Sequence, residues 1–365
     1  MTKPLLAITM GDPFGNGPEL IIKALNHKEI YDTCKPIIVG DKLAIKYANE
    51  VQKNLNGIDL KINVIKEVKD AKLEFGTIDL IDVNILKEED IPNFDKPENP
   101  KPFNLYSTKL GGEISFLCVE KAIKLAMDKE VDGTVTNALS KEAINMAGHH
   151  YSGHTEIYAD YTKTKSYTMM LAHENMRVVH VSTHVSLREA CDRVKKDRVL
   201  ECIKFANEGC KALGIENPRI AVAGFNPHCG ENGLFGREEI EEIQPAIDEA
   251  LKMGIDIPDK KATPADTVFS KLRGDWYDIV VVMYHDQGHI PMKVIGFNYN
   301  RQEKKWDAVE GVNVTLGLPI VRTSVDHGTG YDKAGDGSAN ELSLLNAIYY
   351  AYNLSEYNKE NSWKK

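Results

Sequence analysis

Short apolar runs alternate with amphipathic segments along this chain, and that alternation constrains the fold more than any other feature. Residues 5–10, 36–40 and 133–136 have the length and composition of buried strands. Segments with apolar side chains at helical spacing stand between such runs, the longest at residues 108–127. Strands that alternate with helices assemble into a mostly parallel sheet with helices on its faces. The sequence therefore predicts an α/β fold around a doubly wound sheet.

The length of the chain predicts two domains. Its 365 residues exceed one ordinary core, since domains usually contain roughly 100–200 residues. The sequence has neither an internal repeat nor a low-complexity linker. The division is therefore expected to be discontinuous, with the chain crossing between domains more than once.

Composition argues against several classes of partner. A net charge of −9, without a stripe of Lys and Arg, argues against nucleic acid. No apolar stretch approaches the roughly 20 residues that a membrane span needs. The N-terminal apolar run leads into Gly11-Asp12-Pro13 rather than into a signal-peptide cleavage site. Six dispersed cysteines without a Cys-x-x-Cys pair favour a reduced, cytoplasmic protein.

Three histidines follow three of the predicted strands, which lie at residues 177–181, 220–223 and 279–283. His184, His228 and His285 each stand in a polar patch just past one of these runs. Open α/β sheets bind ligands at the carboxyl ends of their strands. Three neutral imidazoles there could hold one divalent metal, and Zn, Co, Mn and Mg all suit a site with open positions. For any one histidine the alternative is a surface or capping role, and His289 and His327 are further candidates.

Other polar patches offer groups for an anionic substrate. His154 and Thr155 precede a predicted helix, where they could donate to an anion, or Thr155 could simply be the N-cap. Arg322 ends a predicted strand and suits a bidentate grip on carboxylate or phosphate, with a buried Arg–Asp pair as the competing interpretation. Lys293 could act as acid or base beside a metal, or it could be an ordinary solvated lysine.

Two glycine-rich segments are candidates for phosphate binding. Residues 11–19 join a strand to a helix, but glycines at 11, 15 and 17 lack the G-x-G-x-x-G spacing, so a tight structural turn is an equal alternative. Residues 326–330 could turn backbone N–H groups toward a cofactor phosphate.

Taken together, these motifs resemble the 4-hydroxythreonine-4-phosphate dehydrogenase family, PdxA, over nearly the whole chain. The resemblance rests on residues 11–19, Gly153-His154-Thr155-Glu156, Thr183-His184, Asn226-Pro227-His228, Pro264-Ala265-Asp266-Thr267, Tyr284-His285-Asp286-Gln287-Gly288 and residues 313–329. It implies an isocitrate/isopropylmalate-dehydrogenase-like fold of two α/β domains with an active-site cleft between them. It also implies NAD, one divalent metal per site and a homodimer with shared active sites. We accordingly expect an outer domain from residues 1–135 and 290–365, and a central domain with the dimer interface from residues 136–289.

The resemblance also assigns residues by their position in these motifs. The metal ligands would be His184, His228 and His285, one of them supplied by the partner subunit. The substrate would be bound by His154, Thr155, Lys293, Asn313 and Arg322. NAD would lie near Asp266, Asp326 and Gly328. The catalytic candidates are Lys293 as acid and base and Asp286 as an orienting group.

Two features are similar to a sister branch of the family that acts on 4-phospho-D-threonate or 4-phospho-D-erythronate. They are the segment at residues 184–191 and an insert at residues 298–310, together with Gly148-His149-His150-Tyr151. The branch implies NAD- and metal-dependent oxidation of the C3 hydroxyl, followed by decarboxylation to a three-carbon keto phosphate such as dihydroxyacetone phosphate. The alternative substrate is the 4-hydroxythreonine 4-phosphate of pyridoxal phosphate biosynthesis. A metal-dependent hydrolase and a non-catalytic sugar-phosphate sensor are more remote alternatives.

Overall fold

The chain is built from strands that alternate with helices, as the sequence predicts. The computed structural model describes residues 3–90, 107–296, 299–302, 305–306 and 310–361. The strands in these residues are β1 (Leu5–Thr9), β2 (Lys35–Gly40), β3 (Lys61–Ile65), β4 (Thr77–Asp82), β5 (Gly133–Thr136), β6 (Thr168–His173), β7 (Met176–His180), β8 (Ile220–Val222), β9 (Ile279–Val282), β10 (Tyr299–Asn300), β11 (Lys305–Trp306), β12 (Val312–Leu316) and β13 (Val321–Val325). The helices are α1 (Gly17–Leu25), α2 (Lys28–Thr33), α3 (Lys42–Asn56), α4 (Lys109–Met127), α5 (Lys141–Met146), α6 (His154–Tyr161), α7 (Leu187–Arg193), α8 (Lys196–Ala212), α9 (Gln244–Lys252), α10 (Ala265–Arg273), α11 (His285–Gly296) and α12 (Leu342–Asn361).

The first of two compact units, unit 1, comprises residues 1–165, 308–312 and 318–359. Its strands lie in the order β3-β4-β2-β1-β5-β13, and the neighbouring strands run parallel. Strands β1, β2 and β5 are buried along nearly their whole length, as expected for a parallel sheet covered on both faces. Helix α4 packs on β1, β2 and β5 and also contacts α5 and α6.

Unit 2 comprises residues 166–307, 313–317 and 360–365. Its strands lie in the order β12-β6-β7-β9-β8. Strands β7, β9 and β8 are parallel, whereas β6 and β7 form an antiparallel pair. Helices α8 and α11 pack on β6, β7 and β9. A separate two-stranded pair joins β10 to β11.

The elements that carry the predicted site are present where the sequence predicts them. The runs at 177–181, 220–223 and 279–283 are β7, β8 and β9. The compact units have their limits at 165 and between 307 and 318, whereas the predicted domain limits were 135 and 290, and the domain assignment stays a prediction. Residues 136–165 fall in unit 1 because α5 and α6 pack on α4. Of the insert at 298–310, residues 298, 303–304 and 307–309 lie outside the described residues.

Two structural observations concern the membrane and the cysteines. No helix in the described part of the chain is long and apolar enough to cross a membrane. All six cysteines are free thiols, and four of them are buried.

Candidate active site

One face of α11 carries two of the predicted functional residues. His285, His289 and Lys293 follow one another at four-residue spacing, so their side chains lie along the same side of the helix. The Nδ1 of His285 is 2.7 Å from Oδ1 of Asp286, and because a carboxylate only accepts, the imidazole donates. That bond fixes the tautomer of His285 and directs Nε2 to another partner.

Two further histidines, His184 and His180, lie beside this face of α11. The ring of His289 stacks on His285 with centroids 3.6 Å apart, and His184 lies 5.6 Å from His285. His180, at the end of β7, is fully buried and lies 4.8 Å from His289. Burial and the neighbouring histidines lower the pKa of His180 to about 3, and burial likewise lowers the pKa of His289 to about 4. Both rings are therefore neutral at neutral pH.

His184 and His285 are spaced like two ligands of one metal ion. Imidazoles that bind zinc through Zn–N bonds of about 2.0–2.1 Å have ring centroids roughly 5–6 Å apart. The observed centroid separation of 5.6 Å falls in this range. Within the described residues of a single chain, no group of three His, Cys, Asp or Glu side chains is arranged to hold a metal.

His228, the third predicted ligand, lies on an exposed 3₁₀ segment, Pro227–Gly233. Six consecutive residues from His228 to Gly233 have positive φ, with values of 51°, 57°, 78°, 44°, 56° and 94°. Only two of them are glycine, and left-handed backbone costs other residues roughly 1–2 kcal/mol each. Strain of this kind is concentrated at functional sites. The role of His228 as a metal ligand stays a prediction.

A cavity of about 570 Å³ opens beside the two neighbouring histidines. Its walls include His184, His285, Tyr284 and Asp286, together with most of residues 183–190. The volume is in the range of small-molecule sites. The segment that the sequence singled out as characteristic of the sister branch therefore borders the predicted metal ligands.

The amide of Asn313 on β12 is linked to the same histidines through Met169. Its Nδ2 donates to the sulfur of Met169 at 2.9 Å, and the carbonyl oxygen of Met169 accepts from Nδ1 of His180 at 3.2 Å. The Oδ1 of Asn313 is buried and has no hydrogen-bond partner in the described part of the chain. A buried acceptor left open suits a ligand that donates a hydrogen bond. The charge of Lys293 is close enough to contribute to the lowered pKa of His289.

Unit 1 contains a separate buried cationic site around Arg322. The guanidinium is only 2% exposed, donates from Nη2 to Oγ1 of Thr136 at 3.0 Å, and lies 5.7 Å from the ring centroid of Tyr158. Burial lowers the pKa of Arg322 to about 10, while Tyr158 and Glu156 oppose the shift. The group is thus charged at neutral pH, and a buried guanidinium suits an anionic ligand.

His154 opens α6 next to this guanidinium. Burial, followed by the positive charges of Arg322 and Lys141, lowers the pKa of His154 well below 6.5. Its Nε2 is buried and makes no hydrogen bond within the described residues. The N-cap of α6 is Gly153, so the alternative that placed the N-cap at Thr155 is wrong, and Thr155 lies within the first turn. The helix N-terminus, His154 and Arg322 together favour a bound anion.

The residues predicted to lie near NAD are accessible in their own units. Asp266 is exposed in the first turn of α10 in unit 2. In unit 1 the backbone N–H of Asp326 donates to Oγ of Ser343 at 3.1 Å. A Cβ placed on Gly328 would meet no described atom within 4 Å, so a ligand can approach this backbone closely. These features are compatible with a dinucleotide, and the contacts themselves stay predictions.

The glycine-rich turn at residues 11–19 holds the loop that follows Asp326. Asp12 accepts from the hydroxyl of Tyr331 at 2.8 Å, and Glu19 accepts from the N–H of Gly337 at 3.0 Å. Burial raises the pKa of both carboxyls. The turn thus has a structural role, and the loop it holds is the one predicted to face NAD.

Sequence reasoning did not identify His180 and named His289 only as a further candidate. His180 is the polar residue in the apolar run Val178-Val179-His180-Val181. A polar side chain inside a buried strand was the available signal, because such a group needs a partner.

Comparison with known proteins places the chain among dehydrogenases. A family model described as pyridoxal phosphate biosynthetic protein PdxA matches residues 32–351. The D-threonate 4-phosphate dehydrogenase of Cupriavidus necator is 41% identical, covering 94% of this chain and 95% of that protein. The solved 4-hydroxythreonine-4-phosphate dehydrogenase of Burkholderia phymatum has 38% identity and a TM-score of 0.76, covering 97% of this chain and 99% of that one. That of Klebsiella pneumoniae has 35% identity and a TM-score of 0.76, covering 97% and 100%.

Proposed function

Because the chain belongs to the PdxA family, we propose that it catalyses the NAD- and metal-dependent oxidation of 4-phospho-D-threonate at the C3 hydroxyl. Its relatives are dehydrogenases, and the chain is accordingly an oxidoreductase that acts on a CH–OH group. The substrate is chosen because the Cupriavidus necator relative with that name aligns over nearly the whole chain. The C2 epimer, 4-phospho-D-erythronate, is the second substrate of the same branch.

The observation that best supports this chemistry is that His184 lies close to the face of α11 that carries His285. His285 and Lys293 stand on that face, and His184 lies 5.6 Å from His285. The pair of histidines supplies two metal ligands, and Lys293 supplies a proton acceptor nearby. Asp286 orients the ring of His285 through its 2.7 Å hydrogen bond.

The anionic ends of the substrate call for cationic and donor groups. Arg322, with Thr155 and His154 at the start of α6, supplies these in unit 1, and Asn313 supplies an amide in unit 2. A planar guanidinium matches phosphate or carboxylate oxygens in a bidentate manner. Because His154 is neutral, it can donate one hydrogen bond without bringing a second positive charge beside Arg322.

The proposed reaction removes two hydrogens and then a carboxylate. A bound divalent metal supplies Lewis-acid polarisation of the C3 oxygen, and bound NAD supplies the hydride acceptor. Nζ of Lys293 takes the hydroxyl proton as the C3 hydrogen leaves as hydride, which gives a 3-keto acid. The C1–C2 bond then breaks, CO₂ leaves, and the electron pair stays on C2. Lys293 returns a proton to C2, and the product is dihydroxyacetone phosphate.

The third metal ligand in this proposal is the partner subunit's His228, within a homodimer. The same loop displays two large exposed apolar side chains, Leu234 at 74% and Phe235 at 52%. Contiguous exposed apolar groups often mark a protein–protein interface, and in the proposed homodimer the partner would cover these two side chains. The shared site would therefore join one protomer's His184 and His285 to the other's His228.

The runner-up function is the oxidation of 4-hydroxythreonine 4-phosphate. It is favoured by the solved relatives of that name, which cover 97% of this chain. The same residues would act, since the two substrates differ in carrying an amino or a hydroxyl group at C2.

NADH formation from three substrates at equal concentration tests these proposals. We expect the highest kcat/KM with 4-phospho-D-threonate, together with release of CO₂ and dihydroxyacetone phosphate. A higher value with 4-hydroxythreonine 4-phosphate would transfer the assignment to the runner-up. Phosphate release without NADH would indicate the hydrolase, and ligand binding without turnover would indicate the sensor.

A further inference from the structure

We propose that Glu239 is a positioning residue that holds the His228 loop in its strained conformation. Its side chain is only 5% exposed. Oε1 accepts the backbone N–H groups of Phe225 and Asn226, both at 2.7 Å, and Oε2 accepts from Nδ2 of Asn226 at 2.9 Å. One buried carboxylate thus fixes the start of the loop by three hydrogen bonds.

The same carboxylate also lies against the middle of the loop. A Cβ on Gly230 would be 2.9 Å from Oε2 of Glu239, and a Cβ on Gly224 would be 3.4 Å from Oε1. Gly230 lies within the run of positive-φ residues that begins at His228. Glu239 therefore hydrogen-bonds to the entry of the loop and lies close to its turn, and His228 stands between these two points in the sequence.

A carboxylate suits this place better than an amide of the same shape. All three of its partners are N–H donors, and only a group that accepts at both oxygens satisfies them together. Glu239 also opens a π-helical turn, Glu239–Ile243, which precedes α9. Such turns occur often at functional sites.

The consequence for the site rests on the proposed function. If His228 completes the metal site of a second protomer, the loop must present its imidazole in one orientation. Glu239 does not touch the metal in this scheme and acts through the backbone on either side of His228. Loss of a hydrogen-bonding partner of a metal ligand typically weakens metal binding about 10–100-fold, and we expect an effect of this order when the loop that carries the ligand is released.

The test compares Glu239→Gln with Glu241→Gln in the full-length protein. Glu241 belongs to the same π-helical turn but is exposed and pairs with Arg237, so it is the matched control. Affinity for Mn²⁺ and for Zn²⁺, and hydrogen exchange of the Phe225 and Asn226 amides, are measured for both variants. Glu239→Gln should bind each ion about 10–100-fold more weakly, exchange faster at these amides, and regain the wild-type kcat at saturating metal. Glu241→Gln should match the wild type in each respect.

Two further variants keep the outcomes distinct. Asn226→Ala removes one hydrogen bond to Glu239 and one to Glu238, and it replaces Glu239→Gln if that variant does not fold; it should show the same changes to a smaller degree. In His228→Ala, unchanged metal affinity would count against the proposed metal site, while amide exchange in Glu239→Gln would still report on the loop. Wild-type exchange and wild-type metal affinity in Glu239→Gln would overturn the positioning role.

Discussion

Arg322 and His154 owe their properties to the same buried surroundings. Burial lowers the pKa of both groups, yet Arg322 stays charged because its ordinary pKa is so high, whereas His154 becomes neutral. Both residues were identified from the sequence, but the sequence did not indicate that Arg322 stays charged while His154 becomes neutral. That division depends on burial and on the neighbours Lys141, Tyr158 and Glu156, which only the fold brings together.

Arg322→Lys should raise the KM for the phosphorylated substrate about 10–100-fold, with a smaller effect on kcat. An ammonium cannot reproduce the planar fork of the guanidinium, and one hydrogen bond to a charged group is worth about 1.5–3 kcal/mol. The measurement is steady-state NADH formation, with thermal unfolding to confirm that the variant folds. Arg219→Lys, at an ion pair with Asp278, is the control and should leave KM unaltered. An unchanged KM in Arg322→Lys would exclude Arg322 from substrate binding.

His154 should make the protein less stable as the pH falls below about 6.5. Its pKa in the folded state is well below the 6.5 of an unfolded chain, so the unfolded state takes up the proton first. The contribution is complete above pH 6.5 and is lost toward the lower folded pKa, at no more than about 1.4 kcal/mol per pH unit. In His154→Asn, the decrease in Tm from about pH 7.5 to about pH 5.5 should be smaller than in the wild type. The exposed His150→Asn is the control, and an equal decrease in all three proteins would refute the assignment.

At the scale of elements, the strands and the ends at which chemistry is expected were predictable, because apolar runs and polar patches are local in sequence. The lateral order of β7, β9 and β8 was not, and it decides which histidines meet. His184 meets His285 because β7 and β9 are neighbours, whereas His228 follows β8 on the far side of β9. The π-helical turn at Glu239–Ile243 was not predictable, since one inserted residue leaves the apolar periodicity almost unchanged.

Gly288 in α11 should tolerate no side chain, because the helix lies directly on β7 and β9. A Cβ there would be 2.6 Å from Nε2 of His180 and 3.0 Å from Cγ2 of Val282. We expect Gly288→Ala to lower the free energy of unfolding by about 1–3 kcal/mol, and to weaken metal binding by displacing His285. Gly296→Ala in the same helix meets His173 at an ordinary 3.5 Å and serves as the control. Urea unfolding measures both, and equal stability of the two variants would contradict the close packing of α11.

At the scale of the whole molecule, the isocitrate/isopropylmalate-dehydrogenase-like α/β fold was predictable from the full-length resemblance, and the relatives confirm it. The limits of the compact units were less predictable. Residues 136–165 run from the end of β5 through α5 and α6. They belong to unit 1 because α5 and α6 pack on α4, and no local sequence pattern encodes this packing. The sharing of a metal site between two chains is a property of the assembly, so it must be tested on the assembly.

Mixed dimers test the shared site directly. In the proposal each site uses His184 and His285 from one protomer and the partner subunit's His228. His228→Ala and His285→Ala should each be inactive as homodimers, but a hybrid of the two contains one intact site and one doubly defective site. Random pairing makes half of the dimers hybrids, so co-expression should restore about a quarter of the wild-type activity and metal content.

The control pair is His184→Ala with His285→Ala. These two residues act from the same protomer, where their rings lie 5.6 Å apart, so every site in that hybrid lacks one ligand. No recovery is therefore expected from the control pair, although its dimers form equally well. Recovery in both mixtures would mean that His184 and His285 serve different protomers. Recovery in neither would mean that His228 acts within its own chain, because only a ligand supplied across the dimer separates the two experiments.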